Sequence, residues 1–274
     1  MADCARALMA GSGLETVDAR ALMAHVLGVN RAWLIAHGDD PLSPEAAARF
    51  DELAARRRAG EPVAYLVGER EFMGHRLQVS PDVLIPRPET ELLVETALAC
   101  VAGRAAPALL DLGTGSGAIA ISLALARPDA RVRATDLSAG ALAVARANAR
   151  RLDADVEFLH GDWLDALNPA QPAAIYDAIV ANPPYIADGD RHLAEGDLRF
   201  EPRGALTDGA DGLQALRAIA AGAGCWLKPG GWLWLEHGWD QAAAVRALLA
   251  GAGLSGVESR RDLAGIERIS GGYL

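Results

Sequence analysis

Near its middle the chain reads Asp111-Leu112-Gly113-Thr114-Gly115-Ser116-Gly117, at the junction of a predicted strand, Ala108–Leu112, and a predicted helix, Gly117–Ala126. Glycines let the backbone turn sharply and come close to a ligand, and the N-terminus of the following helix presents free N–H groups. The segment therefore predicts a site for a nucleotide-like cofactor. Two alternatives stay open, because a tight turn without a ligand gives the same pattern and the spacing also satisfies the dinucleotide-binding fingerprint.

Strand and helix patterns alternate on both sides of this segment, from residue 107 onward. Such alternation predicts an α/β fold in which helices cover both faces of a mostly parallel sheet. The last two strand patterns have no helix between them and predict a closing antiparallel hairpin. The further predicted strands are Arg131–Asp136, Val156–Leu159, Asp177–Ala181, Trp232–Glu236, Gly256–Arg260 and Ile266–Leu274, and the further helices are Ala139–Leu152, Leu213–Ala221 and Gln241–Leu249.

The residues before this region predict a smaller helical domain, which we place at residues 1–60. It contains helix patterns at Glu15–Leu27, Arg31–His37 and Ser43–Arg58, the last with Ser43 as N-cap and proline at the first helical position. Residues 61–88 alternate in short pieces and predict a hairpin connector. Residues 89–274 then form the second domain, which begins with an amphipathic helix opened by Pro88.

Composition limits the classes of function. The net charge of −10 over 274 residues argues against a nucleic-acid partner, because such partners usually require a basic face. The strip Arg56–Arg58 is basic, and we interpret it as solvated charge at a helix end. Three isolated cysteines and unspaced histidines predict neither disulfides nor a metal site. The N-terminus lacks a signal-peptide pattern and no apolar run reaches membrane-span length, so we expect a cytoplasmic protein.

Two acidic positions follow later strands. Asp136 ends the second strand, about 20 residues beyond the glycine segment, where a carboxylate can accept hydrogen bonds from both ribose hydroxyls. Asp162 and Trp163 follow the third strand and can contact an adenine amino group and ring, although Trp163 can equally be a core residue. Because NAD and S-adenosylmethionine share the same ribose, these positions predict an adenosine-type cofactor and leave its identity open.

The sequence Asn182-Pro183-Pro184-Tyr185 follows the fourth strand. The two prolines stiffen the turn and remove N–H donors, so that the Asn182 side-chain oxygen and the Pro183 carbonyl remain as acceptors. Two rigid acceptors can hold both hydrogens of an –NH₂ on a conjugated carbon and orient its lone pair toward a sulfonium methyl. Tyr185 can stack on a planar amide or base. The tetrapeptide therefore predicts methyl transfer to an amide-like nitrogen.

Together these motifs resemble the class I methyltransferases that act on amino nitrogens. Over nearly the whole chain the sequence resembles the release factor glutamine methyltransferases, the protein-(glutamine-N5) family also called PrmC or HemK. The resemblance also rests on Gly68–Phe72, Leu84–Glu91, Phe200–Leu206 and Leu235–Gly238. It implies a Rossmann-like fold, S-adenosylmethionine as cofactor and S-adenosylhomocysteine as product. The implied substrate is the glutamine of the Gly-Gly-Gln motif in class-1 peptide chain release factors.

The resemblance also implies roles for individual residues. It assigns the methionine part of the cofactor to the glycine segment, the ribose to Asp136 and the adenine to Asp162 and Trp163. It assigns the glutamine amide to Asn182–Tyr185, with Phe72 and Arg87 as further candidate substrate contacts. Arg87 and Glu91 can shape the cofactor pocket or form a structural salt bridge, and Phe72 can instead fill the hairpin core. The predicted cofactor residues are Gly113, Thr114, Gly115, Ser116, Gly117, Asp136, Asp162, Trp163 and Asn182.

Two interpretations of the partner remain. Asn-Pro-Pro-Tyr also occurs in DNA adenine and ribosomal RNA methyltransferases, so a nucleic-acid amino group is the alternative substrate. The polar loop between Tyr185 and Leu213 is acidic, which favours a basic protein surface over a phosphate backbone. We expect this loop to order when a partner docks, the helical domain to recognise the release factor, and the enzyme to be a monomer.

Overall fold

The computed structural model describes residues 4–167 and 174–274. It divides into two compact units. One comprises the chain up to Glu69 together with Glu195–Phe200, and the other comprises Arg70–Ala194 and Glu201–Leu274. The first three residues and residues 168–173, which fall within the predicted domains, lie outside the described part. None of the helices in the described part combines the length and apolar character that a bilayer crossing requires.

The first unit is a cluster of short helices around its own core. Ser43 is the N-cap of α4, as predicted, because its side chain accepts a hydrogen bond from the backbone of Ala46. Fully buried Leu22, Met23 and Phe50 join the helices in one apolar cluster. The helices of this unit are α1 Ala5–Gly11, α2 Thr16–Leu27, α3 Arg31–His37, α4 Pro44–Arg58 and α5 Val63–Val67.

The predicted connector at 61–88 contains both a helix and a hairpin. The helix α5, Val63–Val67, was not predicted, because five residues are too few to show a helical period. The predicted hairpin is present as β1, Glu69–Phe72, and β2, His75–Gln78. The helix predicted from Pro88 begins instead with a single 3-10 turn, Pro88–Thr90, before α6.

The second unit contains the predicted α/β sheet, with the strand order β5-β4-β3-β6-β7-β9-β8. The first five of these strands run parallel, and β9 pairs antiparallel with both β7 and β8. The fold class and the closing hairpin predicted from the sequence are thus confirmed. The strands are β3 Ala108–Leu112, β4 Arg131–Asp136, β5 Val156–His160, β6 Tyr176–Ala181, β7 Leu227–Glu236, β8 Ser255–Arg261 and β9 Glu267–Tyr273.

Helices cover both faces of this sheet. Every residue of β3 and β6 is buried, as expected for central strands of a parallel sheet. The helix α7 packs against β3 and β4 on one side and α6 and α8 on the other, which explains its almost uniformly apolar sequence. The helices are α6 Glu91–Cys100, α7 Ala118–Ala126, α8 Ala139–Leu152, α9 Arg203–Leu206, α10 Gln214–Ala223 and α11 Ala242–Gly251.

The loop between Tyr185 and Leu213 is more structured than the sequence suggested. It contains two 3-10 turns and α9, and Ile186 forms an isolated parallel bridge with Thr207. Short turns of this kind have no apolar period that a sequence can display. The ordering of this loop by a partner stays a prediction.

Candidate active site

The sheet brings the two main motifs to one place. The chain runs from β3 outward to β4 and β5 and then returns to β6 on the other side of β3, so β3 and β6 flank the point where the strand order reverses. Leu112 and Ala181, the last residues of these two strands, are direct neighbours. The glycine segment and the Asn-Pro-Pro-Tyr segment therefore begin side by side, where ligands bind in open parallel sheets.

A cavity of about 510 Å³ opens at this edge, within the range of ~300–1,000 Å³ typical of small-molecule sites. Asp136 and Asn182 both line it, so the predicted ribose and amide positions share one cavity. The predicted site residues that line it are Arg87, Gly113, Thr114, Gly115, Ser116, Asp136, Asp162, Trp163, Asn182 and Pro184.

The glycine segment has the geometry that its sequence predicted. Gly113 has φ +72°, and a Cβ there would come within 2.8 Å of the Trp163 ring, so only glycine fits between the turn and the indole. The Thr114 hydroxyl donates to buried Asp111 Oδ2 at 2.7 Å, and this hydrogen bond holds the turn against the end of β3. Gly117 is not a cavity residue; it caps α7, where a Cβ would meet Ile121 at 2.8 Å.

Asp136 is held by backbone amides. Its Oδ2 accepts from Gly115 N and its Oδ1 from Ser138 N, each at 2.8 Å. Burial raises the pKa of this carboxyl, and the two N–H donors oppose that rise. Because each carboxylate oxygen has a second lone pair, both can still accept from a pair of hydroxyl groups. Asp136 therefore joins the glycine segment to a site suited to a ribose.

Trp163 occupies a position compatible with both of the roles considered for it. Its indole lines the cavity and also packs against the apolar cluster on that face of the sheet. Its φ of +39° is unusual for a residue other than glycine, and it lies two residues after Gly161, where the chain turns out of β5. Asp162 is exposed at the rim of the same cavity. An adenine ring between these two residues stays a prediction.

Some polar atoms of the Asn-Pro-Pro-Tyr segment have hydrogen-bond partners within the described residues, and others have none. Asn182 Nδ2 donates to Thr90 Oγ1 at 3.1 Å, whereas Asn182 Oδ1 accepts no hydrogen bond from a described residue. Pro183, predicted to contact the substrate, is buried and does not line the cavity; within residues 4–167 and 174–274 its carbonyl accepts no hydrogen bond either. Tyr185 does not line the cavity; it is partly buried against the core, with its hydroxyl 3.5 Å from Glu236 Oε1. Its predicted stacking on an amide is thus not visible in this arrangement.

Three further predicted residues have structural partners. Arg87 lines the cavity and forms a salt bridge with buried Glu201, which also accepts from Ile85 N at 2.9 Å. Phe72 is a correction: it is 1% exposed, packs in the core and does not line the cavity. Glu91 is a second correction, because its carboxyl accepts from Met73 N at 2.8 Å and so caps the hairpin turn outside the cavity.

Thr90 and Glu236 were not singled out from the sequence as site residues. Both are almost fully buried, and Thr90 lines the cavity and accepts the hydrogen bond from Asn182 Nδ2. Both lie within segments, Leu84–Glu91 and Leu235–Gly238, that carried the family resemblance. That resemblance was the signal available, but nothing in the spacing connected these residues to Asn182.

Glu236 makes stability depend on pH. Burial raises the pKa of the Glu236 carboxyl to about 7. The side chain of Thr90, the charge of Arg268 and the Tyr185 hydroxyl oppose this rise, and the charge of Glu89 adds to it. Between pH 4.5 and 7 the folded protein holds a proton that the unfolded chain has released, so stability falls as pH rises through this window. Glu236→Gln should remove this contribution, which amounts to at most about 3 kcal/mol.

The measurement is urea unfolding of both proteins at pH 5 and pH 8. The free energy of unfolding should decline more in the wild type than in Glu236→Gln over this interval, and the two should converge at the acid end. Buried Asp111, whose pKa is also raised to about 7, contributes equally to both proteins. Parallel pH profiles for the two proteins would show that Glu236 does not hold a proton in the folded state.

Two family profiles match the chain. The PrmC N-terminal domain matches residues 3–68, and the methyltransferase small domain matches residues 88–198. The second match spans the glycine segment, Asp136 and Asn182–Tyr185. The first match thus falls on the helical residues, and the second contains the glycine segment, Asp136 and Asn182 that line the cavity.

Curated relatives match over nearly the full length. A release factor glutamine methyltransferase of Bordetella pertussis is 67% identical over 267 residues, covering 97% of this chain and 98% of the relative. The protein of that name from Burkholderia pseudomallei is 59% identical, covering 97% and 95%. A solved methyltransferase structure from Pyrococcus furiosus has a TM-score of 0.54 at 20% identity, covering 80% and 95%, and is similar in fold.

Proposed function

The chain belongs to the family of release factor glutamine methyltransferases, and we propose that it methylates the side-chain amide nitrogen, N5, of a glutamine in a peptide chain release factor. The cofactor is S-adenosylmethionine. By the resemblance described above, the target glutamine is that of the Gly-Gly-Gln motif in class-1 factors. Because translation takes place in the cytoplasm, the proposal carries the expectation that the enzyme works there.

One observation supports the proposal above the others: Asn182 and Asp136 line one cavity, and Asn182 Oδ1 accepts no hydrogen bond from a described residue while Nδ2 donates to Thr90. The Pro183 carbonyl is the second acceptor at the same turn, and it is unused by the described residues. A primary amide has two N–H donors, which is the number that these two oxygens can accept.

The bound cofactor supplies an electrophilic methyl group on a positively charged sulfur. We assign its binding to Gly113–Ser116, Asp136, Asp162 and Trp163, whose cavity is of suitable size and donor pattern. The Asn182 and Pro183 oxygens would hold the two amide hydrogens, orient the nitrogen lone pair and stabilise the positive charge that grows on nitrogen. No strong base is needed before attack, because the proton becomes acidic only after the methyl group has been transferred.

Charge in the helical unit favours a protein partner over nucleic acid. Arg56 pairs with Glu61 at 2.6 Å, and Arg57 pairs with both Asp18 and Asp197 at 2.7 Å. Guanidinium groups already paired with carboxylates are poorly available to phosphates. With a net charge of −10, the chain suits a basic protein surface, and we propose that the helical residues 1–60 take part in recognising the release factor.

The experiment that tests this function is transfer of labelled methyl from S-adenosylmethionine to a purified class-1 release factor. We expect label on the release factor, and none on a variant whose Gly-Gly-Gln glutamine is replaced by alanine. Bare DNA and ribosomal RNA serve as parallel substrates and should stay unlabelled. Label on nucleic acid alone would reject the proposal in favour of an amino-group methyltransferase of that class.

A further inference from the structure

The Glu201 carboxyl joins two segments of the cavity wall that are far apart along the chain. Its Oε2 accepts a hydrogen bond from Ile85 N at 2.9 Å, and its Oε1 accepts one from Arg87 Nη2. The neighbouring residues Leu84 and Pro202 line the cavity, one in each segment. The Glu201 side chain is 0% exposed, so its charge is stabilised by these protein partners and not by water.

Arg87 is the one basic residue on the cavity wall among the residues that the structure describes. Its side chain is 31% exposed, and Glu201 is its salt-bridge partner. With the guanidinium neutralised in this way, the wall has an excess of acidic groups. The acidic lining residues are Asp82, Asp136, Asp162 and Asp208.

The two forms of the cofactor differ by one positive charge. S-adenosylmethionine carries a sulfonium, whereas S-adenosylhomocysteine, which is left after methyl transfer, has a neutral thioether in its place. A cavity of about 510 Å³ is on the order of 10 Å across, so salt only partly screens a charge on the wall from a charge bound inside. The charge on the wall therefore acts on the sulfonium of one form and has no such group to act on in the other.

From this arrangement we infer that Glu201 is a specificity-determining residue, which cancels the charge of Arg87 and so favours binding of the sulfonium form of the cofactor over the thioether form. The inference rests on the proposed function only through the cofactor, and it goes beyond that function by naming a residue that separates cofactor from product. The enzyme must exchange product for cofactor after every turnover. Weaker relative binding of the neutral product assists that exchange.

Two other roles for the same ion pair lead to different expectations. If Glu201 only holds the two wall segments together, its loss weakens the binding of both cofactor forms equally. If Arg87 binds the carboxylate of the methionine part, its loss also weakens both forms equally, because each form has that carboxylate. An effect of charge on the sulfonium, by contrast, changes the ratio of the two dissociation constants.

The test is calorimetric titration of both cofactor forms into Glu201→Gln at low salt. This variant keeps the size of the side chain but leaves the guanidinium of Arg87 without a counter-charge. We expect the dissociation constant of S-adenosylmethionine, divided by that of S-adenosylhomocysteine, to rise by about tenfold over the wild-type ratio. The rise should become smaller in concentrated salt, because ions screen the added charge.

Two further variants change the charge of the pair in other ways. Arg87→Met/Glu201→Gln removes both charges, and its ratio should return to within about twofold of the wild-type ratio. Arg87→Met alone, titrated at pH 8 to favour the ionised carboxyl, leaves the carboxylate uncompensated, so its ratio should fall below the wild-type value. If circular dichroism shows that Glu201→Gln does not fold, Arg87→Met carries the test with the opposite sign.

The matched control is Asp177→Asn, because Asp177 is a buried carboxylate with the same kinds of partner at the start of β6, the end of that strand opposite to the cavity. It accepts a hydrogen bond from Ala108 N at 2.8 Å and forms salt bridges with Arg104 and Lys228. None of these four residues lines the cavity. We expect Asp177→Asn to lower stability and to keep the wild-type ratio of dissociation constants.

An unchanged ratio in Glu201→Gln, whether both affinities fall together or neither changes, would overturn the inference. A raised ratio that persists in the double variant would do the same, because the guanidinium would then not be its cause. These titrations use no methyl acceptor, so their outcome is separate from that of the labelling experiment. Failure to label a release factor would reject the proposed function, and the two dissociation constants would still decide the role of Glu201.

Discussion

Asn182→Ala is expected to lower kcat by about 100- to 1000-fold, the range observed when one preorganised polar group is removed from a reacting centre. Alanine removes the acceptor that holds one amide hydrogen and stabilises charge on the nitrogen. Because that interaction grows as the methyl group is transferred, the loss should appear mainly in kcat. The measurement is steady-state methyl transfer to the release factor, together with calorimetric titration of the cofactor.

The controls separate chemistry from folding. Cofactor affinity of Asn182→Ala should stay within a few-fold of wild type, because the ribose and methionine contacts lie on other residues. Asn30→Ala is a matched asparagine substitution in the helical unit, where Asn30 caps α3 by accepting from Trp33 N. It should reduce stability by about 1 kcal/mol and leave kcat unchanged. Wild-type turnover in Asn182→Ala would remove the basis of the proposed mechanism.

Asp136→Ala is expected to weaken S-adenosylmethionine binding on the order of 100-fold, the result of losing two hydrogen bonds to a charged acceptor. The carboxylate also accepts from Gly115 N and Ser138 N, so its removal loosens the glycine segment. Asp136→Asn should bind weakly as well, since its single amide oxygen can accept from one backbone donor and its NH₂ end faces the other without being able to accept. The measurement is the dissociation constant by calorimetry.

Asp155→Ala provides the matched control, because Asp155 is exposed at the start of β5, away from the cavity-lining residues. It should bind the cofactor like the wild type. At saturating cofactor, Asp136→Ala should recover much of its turnover, since Asp136 is not assigned to the amide. An Asp136→Ala protein with wild-type affinity would place the ribose elsewhere in the cavity.

Local patterns were sufficient for the parts of the site that lie in one segment. The glycine segment was predictable because a sharp turn between strand and helix needs glycine, and Gly113 has the positive φ that the pattern implies. The Asn182–Tyr185 turn was predictable because proline restricts its own backbone and that of the residue before it. Strand periodicity and the missing final helix were enough for the α/β class and its hairpin.

Predictions that depended on where a side chain points were less successful. For Phe72 and Glu91 the sequence left a ligand-side role and a structural role both open, and the structure has Phe72 in the core and Glu91 capping a hairpin turn. Sequence spacing does not report which face of a short strand or turn is buried, because two or three residues show no period. For the same reason the five-residue helix Val63–Val67 could not be predicted from the sequence.

The sequence by itself determined the element types, the tight glycine turn and the stiff corner after β6, because each depends on steric limits and periodicities within a few neighbouring residues. The tertiary structure alone decided which side chains complete the site. Thr90 and Asn182 are 92 residues apart, and their contact joins the 3-10 turn before α6 to the segment after β6. Neither this contact nor the position of Asn182 and Asp136 on one cavity could be predicted from spacing along the chain.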